Sequence, residues 1–176
     1  MIKAFKYFSN FKILFAISII IFSPSCASQE EKIELIKQEV EVIIKKLNDA
    51  EMINGMLFSG ERKYVYRAYF EDDELIYIFT DIYIGSRSAS TNYYYFKNNN
   101  LIFANINEVG YEGLKTKKKR SLKMDVYFDG DKVLDYSKSL GNNYDVLTED
   151  ETNQILSEVK KLYNRAIEKR QATKNT

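Results

Sequence analysis

The strongest constraint on the fold is an eight-residue pattern that the sequence repeats three times, at residues 69–76, 95–102 and 127–134. Each copy has Tyr-Phe, four residues that are charged, Asn or Gly, and then two aliphatic residues. Aromatic and aliphatic residues on either side of a short polar segment are the pattern of a β-hairpin. In the middle copy the turn falls at Asn98 and Asn99, and Asn tolerates the positive φ that a two-residue turn requires. The three copies therefore predict three hairpins and an antiparallel sheet.

A helix is predicted on each side of the hairpins. Between Gln29 and Met52 the apolar residues are spaced by three and four, the pattern of an amphipathic helix. A capping box formed by Thr148 and Glu151 predicts a second helix, which should end near Arg170. The apolar stripe of the first helix also allows a coiled-coil seam, but barely two heptads are present, so packing on a sheet is favoured.

The predicted fold class is α+β. Short turns make consecutive strands neighbours, which predicts a six-stranded antiparallel meander sheet within residues 62–137. The N-terminal and C-terminal helices are expected to pack together on one face of this sheet and bury it. That face should carry the apolar row Phe70, Phe96 and Phe128, with Leu75, Leu101 and Val133 opposite them across the turns.

The other face of the predicted sheet carries a band of Tyr and aliphatic residues. The band consists of Tyr69, Tyr95 and Tyr127 with Ile76, Ile102 and Leu134. An uncovered band of this kind would be an exposed apolar patch, and such patches often bind a partner. The alternative is that these Tyr rings pack on a half-buried sheet and keep their hydroxyls in water. The residues proposed for partner binding are Tyr69, Tyr95, Tyr127, Ile76 and Ile102.

The first 25 residues have the layout of a signal peptide. Lysines precede the apolar run Ile13–Phe22, which as a helix reaches only about 15 Å, half of what a bilayer core requires. Cys26 follows at the position of the cysteine in a bacterial lipobox, which predicts its lipidation as the first mature residue. Cleavage after Ala27 would instead release a soluble exported protein, and a buried structural cysteine is the remaining interpretation. A single domain is expected in residues 26–170, with a disordered tail in 171–176.

The amino-acid composition excludes several kinds of catalytic and metal-binding site. The chain has no His and one Cys, so Ser-His-Asp and Cys-His catalysis, His-based zinc sites and an intramolecular disulfide are not available to it. Lys and Arg number 26 against 25 for Asp and Glu. Removal of the three signal-peptide lysines leaves a net charge of about −2, which does not favour nucleic acid. We expect no enzymatic activity, cofactor or metal, and we assign no catalytic residue. An enzyme is the third possibility: it would have to depend on carboxylates, Tyr or Lys, and a cleft with converging buried carboxylates would favour it.

Two charged segments have a functional and a plain interpretation. The basic run Lys115–Lys123 could contact phosphate groups, but no aromatic residue is interleaved with its basic residues, so a solvated loop is favoured. The acidic run Glu71–Glu74 could hold Ca²⁺, but its spacing is not that of an EF-hand and it occupies the turn of a repeat. A plain acidic turn is therefore favoured.

The sequence resembles a group of uncharacterised bacterial envelope lipoproteins. The resemblance covers the cysteine after a short signal, Ile-Lys-Gln in the first helix, the Tyr-Phe-x-x-x-x-Leu-Ile repeats and the C-terminal Leu-Ser-Glu-Val-Lys-Lys-Leu-Tyr. Hairpins of the group often read Tyr-Tyr-Phe-Asp-Asn-Gly-Lys-Leu-Ile, and residues 94–102 are the nearest copy here. The group has no assigned activity, so the resemblance implies location and fold alone.

These observations lead to an expected function. The chain is expected to be an exported, non-enzymatic interaction module of the cell envelope, in the periplasm or at the outer membrane. A lipid on Cys26 would attach it to the membrane, and an envelope protein would be its partner. The alternative is a small-ligand or lipid-binding domain with an apolar pocket between sheet and helices.

Overall fold

A computed structural model describes residues 28–85, 88–112 and 118–175. These residues form two helices and eight strands, and the strands make one antiparallel sheet in chain order. The elements are α1 (Gln29–Lys46), β1 (Glu51–Ser59), β2 (Arg62–Glu71), β3 (Glu74–Ile84), β4 (Ser88–Lys97), β5 (Asn100–Glu112), β6 (Lys118–Asp129), β7 (Lys132–Leu140), β8 (Asn143–Tyr144) and α2 (Glu149–Lys174).

The α+β class and the single antiparallel sheet are confirmed, but the expected number of six strands is wrong. β1 was predicted as a helix end and a connection, because Asn54-Gly55 resembles a helix stop. Ile53 is buried between exposed Met52 and Asn54, the alternation of an edge strand packed on one face. β8 is a two-residue strand within the predicted loop at 138–147. β5 and β6 also extend into the stretch 110–121 that was predicted to be irregular.

The turns of the repeated hairpins are the tight two-residue turns that the sequence predicts. Asp72 and Asp73 have φ values of 45° and 72°, and Asn98 and Asn99 have φ values of 50° and 63°. Two successive positive φ values are typical of the type I′ turn, whose twist matches that of the flanking strands. In the third copy Gly130 has a φ of 62°.

Each repeated hairpin also contains a β-bulge. The pairing register shifts next to each turn, and the extra residue is the second aliphatic residue of the repeat: Ile76, Ile102 and Leu134. The bulge directs two successive residues to the same side of the sheet. Ile76 and Tyr77 therefore both pack on one face, while Leu75 packs on the other.

One face of the sheet packs against α2, and we call it the α2 face. Phe70, Phe96 and Phe128 lie on it with exposures of 1%, 2% and 1%, and they pair with Leu75, Leu101 and Val133 as predicted. From α2 the core receives Ile155, Val159, Leu162 and Ala166. The Phe row therefore forms the main core.

The opposite face, the α1 face, is covered in part by α1. Ile43 of α1 is 2% exposed and packs in a separate cluster with Ile76, Tyr77 and Tyr95. The prediction that both helices lie on one face is therefore wrong. The helices lie on opposite faces because the sheet is apolar on both faces near the repeated turns, so each face has to be covered.

A row of aromatic rings crosses the α1 face beneath α1, and we call it the aromatic ladder. It joins cross-strand neighbours on five successive strands, from β2 to β6. The ring centroids of successive members are 5.4, 4.9, 5.6 and 4.8 Å apart, within the range of favourable aromatic pairs. The members are Tyr69, Tyr77, Tyr95, Phe103 and Tyr127.

Ion pairs join α1 to the residue that precedes each repeated turn. The Lys32 ammonium lies 2.7 Å from Asp129, and the Lys46 ammonium lies 2.7 Å from Glu71. Between them Glu39 pairs with Lys97. The three α1 residues are spaced by seven, so each heptad of the helix reaches one hairpin.

Helix α2 continues to Lys174, past Arg170, where the sequence predicts its end. Arg170 is 8% exposed and binds Glu51 at 2.6 Å and Asp73 at 2.8 Å. Lys174 also pairs with Asp73. These contacts hold residues 171–174, predicted as part of a tail, in the helix. Neither helix in the described ranges is long and apolar enough to cross a bilayer.

The packing of α1 can be tested by replacing Ile43 with Ala. We expect the free energy of unfolding to fall by about 2 to 4 kcal/mol, because the change leaves a cavity against the aromatic ladder. The matched control is Val42→Ala on the adjacent residue, which is 41% exposed and should cost less than about 0.5 kcal/mol. Urea unfolding followed by circular dichroism measures both, and equal costs would show that α1 does not pack through Ile43.

Candidate functional site

A group of polar residues is buried on the α2 face, at the end of the sheet far from the repeated turns. On β4, Ser90 and Asn92 are 5% and 3% exposed and point to the same side as Tyr94 and Phe96. Glu158 of α2 is 9% exposed and faces them from the helix. Buried polar groups are costly unless they are hydrogen-bonded, so their partners matter.

Both carboxylate oxygens of Glu158 are hydrogen-bonded. Its Oε1 accepts from the Tyr94 hydroxyl at 2.8 Å and from Asn92 Nδ2 at 3.3 Å. Its Oε2 accepts from Arg62 Nη1 at 3.1 Å and from the Tyr64 hydroxyl at 3.2 Å. Donors from two strands therefore fix the carboxylate in one position and compensate for its removal from water.

A second set of hydrogen bonds fixes those donors. Asn92 Nδ2 also donates to the Tyr94 hydroxyl at 2.8 Å, and Asn92 Oδ1 accepts from Ser90 Oγ at 2.5 Å. On the solvent side, the Gln154 carbonyl oxygen accepts from Arg62 at 2.9 and 3.0 Å in the amide orientation that satisfies both groups. The network is therefore preorganised around Glu158.

The network borders a cleft of about 210 Å³ between α2 and the sheet, which we call the Glu158 cleft. Three carboxylates line it, those of Glu108, Glu151 and Glu158, against the single guanidinium of Arg62. Its other walls are mainly aliphatic: Ile82, Ile84, Ile106, Leu122, Met124 and Ile155. A concave site with apolar walls and a few converging polar groups is the usual form of a small-ligand site.

Two phenols of the network have raised pKa values. Burial, followed by the negative charge of Glu158, raises the pKa of Tyr94 well above its ordinary value. The same two causes, in the same order, raise the pKa of Tyr64. Both phenols therefore keep their protons at neutral pH and remain hydrogen-bond donors to Glu158.

The residues that the sequence proposes for partner binding lie together on the α1 face. Ile76 and Tyr95 are buried, with exposures of 7% and 8%, and Tyr69, Ile102 and Tyr127 are half-buried. Their surroundings favour the second interpretation of the band, in which the Tyr rings pack, because α1 covers this part of the sheet. Cys26, the proposed lipidation site, lies outside the described residues.

The structure describes the acidic run Glu71–Glu74 in full and the basic run Lys115–Lys123 only in part. Residues 115–117 of the basic run lie outside the described residues, and its remainder lies in β6, where a loop is expected. In the acidic run Asp72 and Asp73 form a turn. No group of acidic or Cys residues in residues 28–85, 88–112 and 118–175 is arranged to hold a metal ion.

Two features of the sequence point to the Glu158 cleft, although neither belongs to a recognised motif. The period of two that places Tyr94 and Phe96 on the α2 face also places Asn92 and Ser90 there. Glu158 follows Ile155 by three residues and so stands inside the apolar stripe of α2. Polar residues at inward-facing positions of both β4 and α2 indicate a buried polar network.

Comparison of the chain with protein-family models, with curated proteins and with solved structures finds no match. The geometry of the site therefore carries the functional argument.

Two buried Tyr residues provide a matched test of the network. Tyr94→Phe removes hydrogen bonds to Glu158 and Asn92, so we expect it to lower the free energy of unfolding by about 1.5 to 3 kcal/mol. Tyr66 is 1% exposed and its hydroxyl has no hydrogen-bond partner. Tyr66→Phe should therefore raise the free energy of unfolding by about 1 kcal/mol.

Chemical denaturation of the two variants and the parent measures these changes. If the free energy of unfolding changed in the same direction in both variants, the contrast between a hydrogen-bonded Tyr94 and an unpartnered Tyr66 would be contradicted.

Proposed function

We propose that this chain is an exported lipoprotein of the cell envelope with a non-enzymatic binding domain, and that the domain binds a small ligand in the Glu158 cleft. The observation that carries the binding proposal is a buried carboxylate held by Arg62, Tyr64, Asn92 and Tyr94 at the wall of a cleft. A network of this kind keeps a recognition group in place before the ligand arrives, which lowers the cost of binding.

The lining of the cleft favours a small protonated amine with a short apolar body. Lys138 pairs with Glu151 at 2.8 Å and Arg62 pairs with Glu158 at 3.1 Å. The three carboxylates of the lining therefore exceed the cations that pair with them by one. The aliphatic walls suit a few methylene groups. The volume of about 210 Å³ is below the roughly 300 to 1,000 Å³ typical of sites for drug-sized ligands. The cleft therefore suits a small amine better than a lipid.

The state of the polar groups supports binding rather than catalysis. Tyr64 and Tyr94 have raised pKa values, whereas an acid or base catalyst works best with a pKa near the working pH. The donors around Glu158 hold its carboxylate in one orientation. Such groups recognise a ligand without exchanging protons with it.

Binding can be tested by isothermal titration calorimetry with butylamine, butyrate and butanol as probes. We expect butylamine to bind and the other two probes not to bind, because only the amine complements the carboxylates. Glu158→Gln should weaken butylamine binding at least about tenfold, a loss of about 1.4 kcal/mol or more. Glu108→Gln, a change at a half-buried position of the lining, should weaken it less.

The matched control is Glu168→Gln, also on α2. Glu168 is exposed and pairs with Arg165 at 3.2 Å outside the cleft, so its neutralisation should leave the affinity unchanged. Binding of butyrate in preference to butylamine, or an equal loss in the control, would contradict the proposed ligand class. Circular dichroism confirms that each variant is folded.

The export proposal is supported by the sequence before α1. The lysines, the apolar run Ile13–Phe22 and Cys26 have the order of a lipoprotein signal. Ser28 caps α1 through a capping box with Glu31, and only Ala27 separates it from Cys26. A lipid on Cys26 would therefore place α1 directly at the membrane surface.

Mass spectrometry of the mature protein from a bacterial host tests the anchor. We expect an N-terminal peptide that begins at Cys26 and carries acyl chains, because the thiol is the acylation site. The Cys26→Ser variant should carry none. An unmodified mature protein beginning at Ser28 would contradict the proposed anchor and would support a soluble exported form.

A second candidate function is capture of an envelope protein. The observation that favours it is an apolar patch on the outer side of α1, where Leu35 and Val42 are 60% and 41% exposed and are seven residues apart. Apolar residues at this spacing lie on one side of a helix. In this function the band of Tyr and aliphatic residues supports α1, and α1 contacts the partner.

A further inference from the structure

Strand β1 forms one edge of the sheet. Within the described part of the chain, β1 pairs with β2 on one side and with no strand on the other. Its nine residues, Glu51–Ser59, pair with β2 in one continuous register without a bulge. A long regular edge presents a row of backbone N–H and C=O groups that can pair with another strand.

β1 is less protected than edge strands usually are. From Met52 to Ser59 it contains no charged residue and no Pro, although Lys, Pro and bulges normally prevent edge pairing. Met52, Met56 and Phe58 on its α1-face side are 47%, 47% and 67% exposed. By contrast, β8 at the opposite edge has only two residues.

We propose that β1 pairs antiparallel with β1 of a second copy of this chain, around a two-fold axis at Gly55. This register pairs all nine residues of each strand and makes one sheet that continues across both copies. Met52 of each copy then lies opposite Phe58 of the other on the same face, because residues 52 and 58 are equally distant from the axis. The inference goes beyond ligand binding and does not depend on the Glu158 cleft.

Charge is the reason to expect a second copy rather than a charged peptide as the occupant. In this register Glu51 lies opposite Ser59 of the other copy, so no like charges meet. Glu51 is also neutralised by Arg170 of its own chain, at 2.6 Å. The segment from Met52 to Ser59 offers a charged peptide no complementary charge. It complements itself, because Met52 meets Phe58, Ile53 meets Leu57, and the main-chain groups of the two strands pair.

The test is sedimentation equilibrium of the purified full chain between about 1 and 100 µM, with Met56→Lys as the test variant. The matched control is Val65→Lys, because Val65 pairs with Met56 on the same face but lies on β2, away from the edge. Val65 is 37% exposed, so it tolerates the charge. Phe58→Lys, at a position that is 67% exposed, is a second edge variant in case Met56→Lys does not fold.

We expect the parent and Val65→Lys to form dimers, and the edge variants to have a dimer dissociation constant at least about tenfold higher. Hydrogen exchange at the amides of residues 51–59 that point away from β2 should slow as the parent concentration rises, whereas the amides bonded to β2 are protected at every concentration. A parent that stays monomeric throughout this range overturns the proposal. So does a dimer that the edge variants leave intact. Protection of the outward-pointing amides of β1 that is independent of concentration also overturns it, since the edge would then be covered within one chain.

Discussion

The position of α1 on the sheet depends on a match between two spacings: the heptad spacing of its ion-pairing residues and the spacing of the hairpins across the sheet. Seven residues of an α-helix rise about 10.5 Å, and one hairpin spans two strands, or about 9.6 Å of sheet. A helix that crosses the strands therefore advances one hairpin with each heptad. The ion pairs follow this spacing and alternate in sign, so a shift of α1 by one hairpin would bring like charges together. They join Lys32 to Asp129, Glu39 to Lys97 and Lys46 to Glu71.

This match explains why the two faces of the sheet differ. α1 packs on the α1 face near the repeated turns, above the aromatic ladder. The bulges of the repeated hairpins direct aliphatic residues to this same face. The Phe row on the other face then requires a separate cover, which α2 provides. Toward the far end of the α2 face the inward residues of β4 become polar, at Asn92 and Ser90, and Glu158 enters from α2. The Glu158 cleft therefore forms at the end of the α2 face where the inward residues are polar and no longer belong to the Phe row.

The repeated hairpins were predictable because local rules determine them. Asn98 and Asn99 specify a turn, and a period of two correctly places Phe96 and Tyr95 on opposite faces. The position of α1 was not predictable, because its stripe fits either apolar face and only long-range contacts such as Ile43 with Tyr95 select one. β1 was missed because Gly55 in a strand is unusual. Here it is required, since a Cβ on Gly55 would lie 2.0 Å from the Tyr66 ring.

The central claim is that α1 packs on the aromatic ladder and α2 packs on the Phe row. Nuclear Overhauser effects from the methyl groups of Ile43 measure this most directly in the unmodified chain. We expect cross-peaks from Ile43 to the rings of Tyr77 and Tyr95. Cross-peaks from Ile43 to Phe70 or Phe96 instead would place both helices on one face and would contradict it.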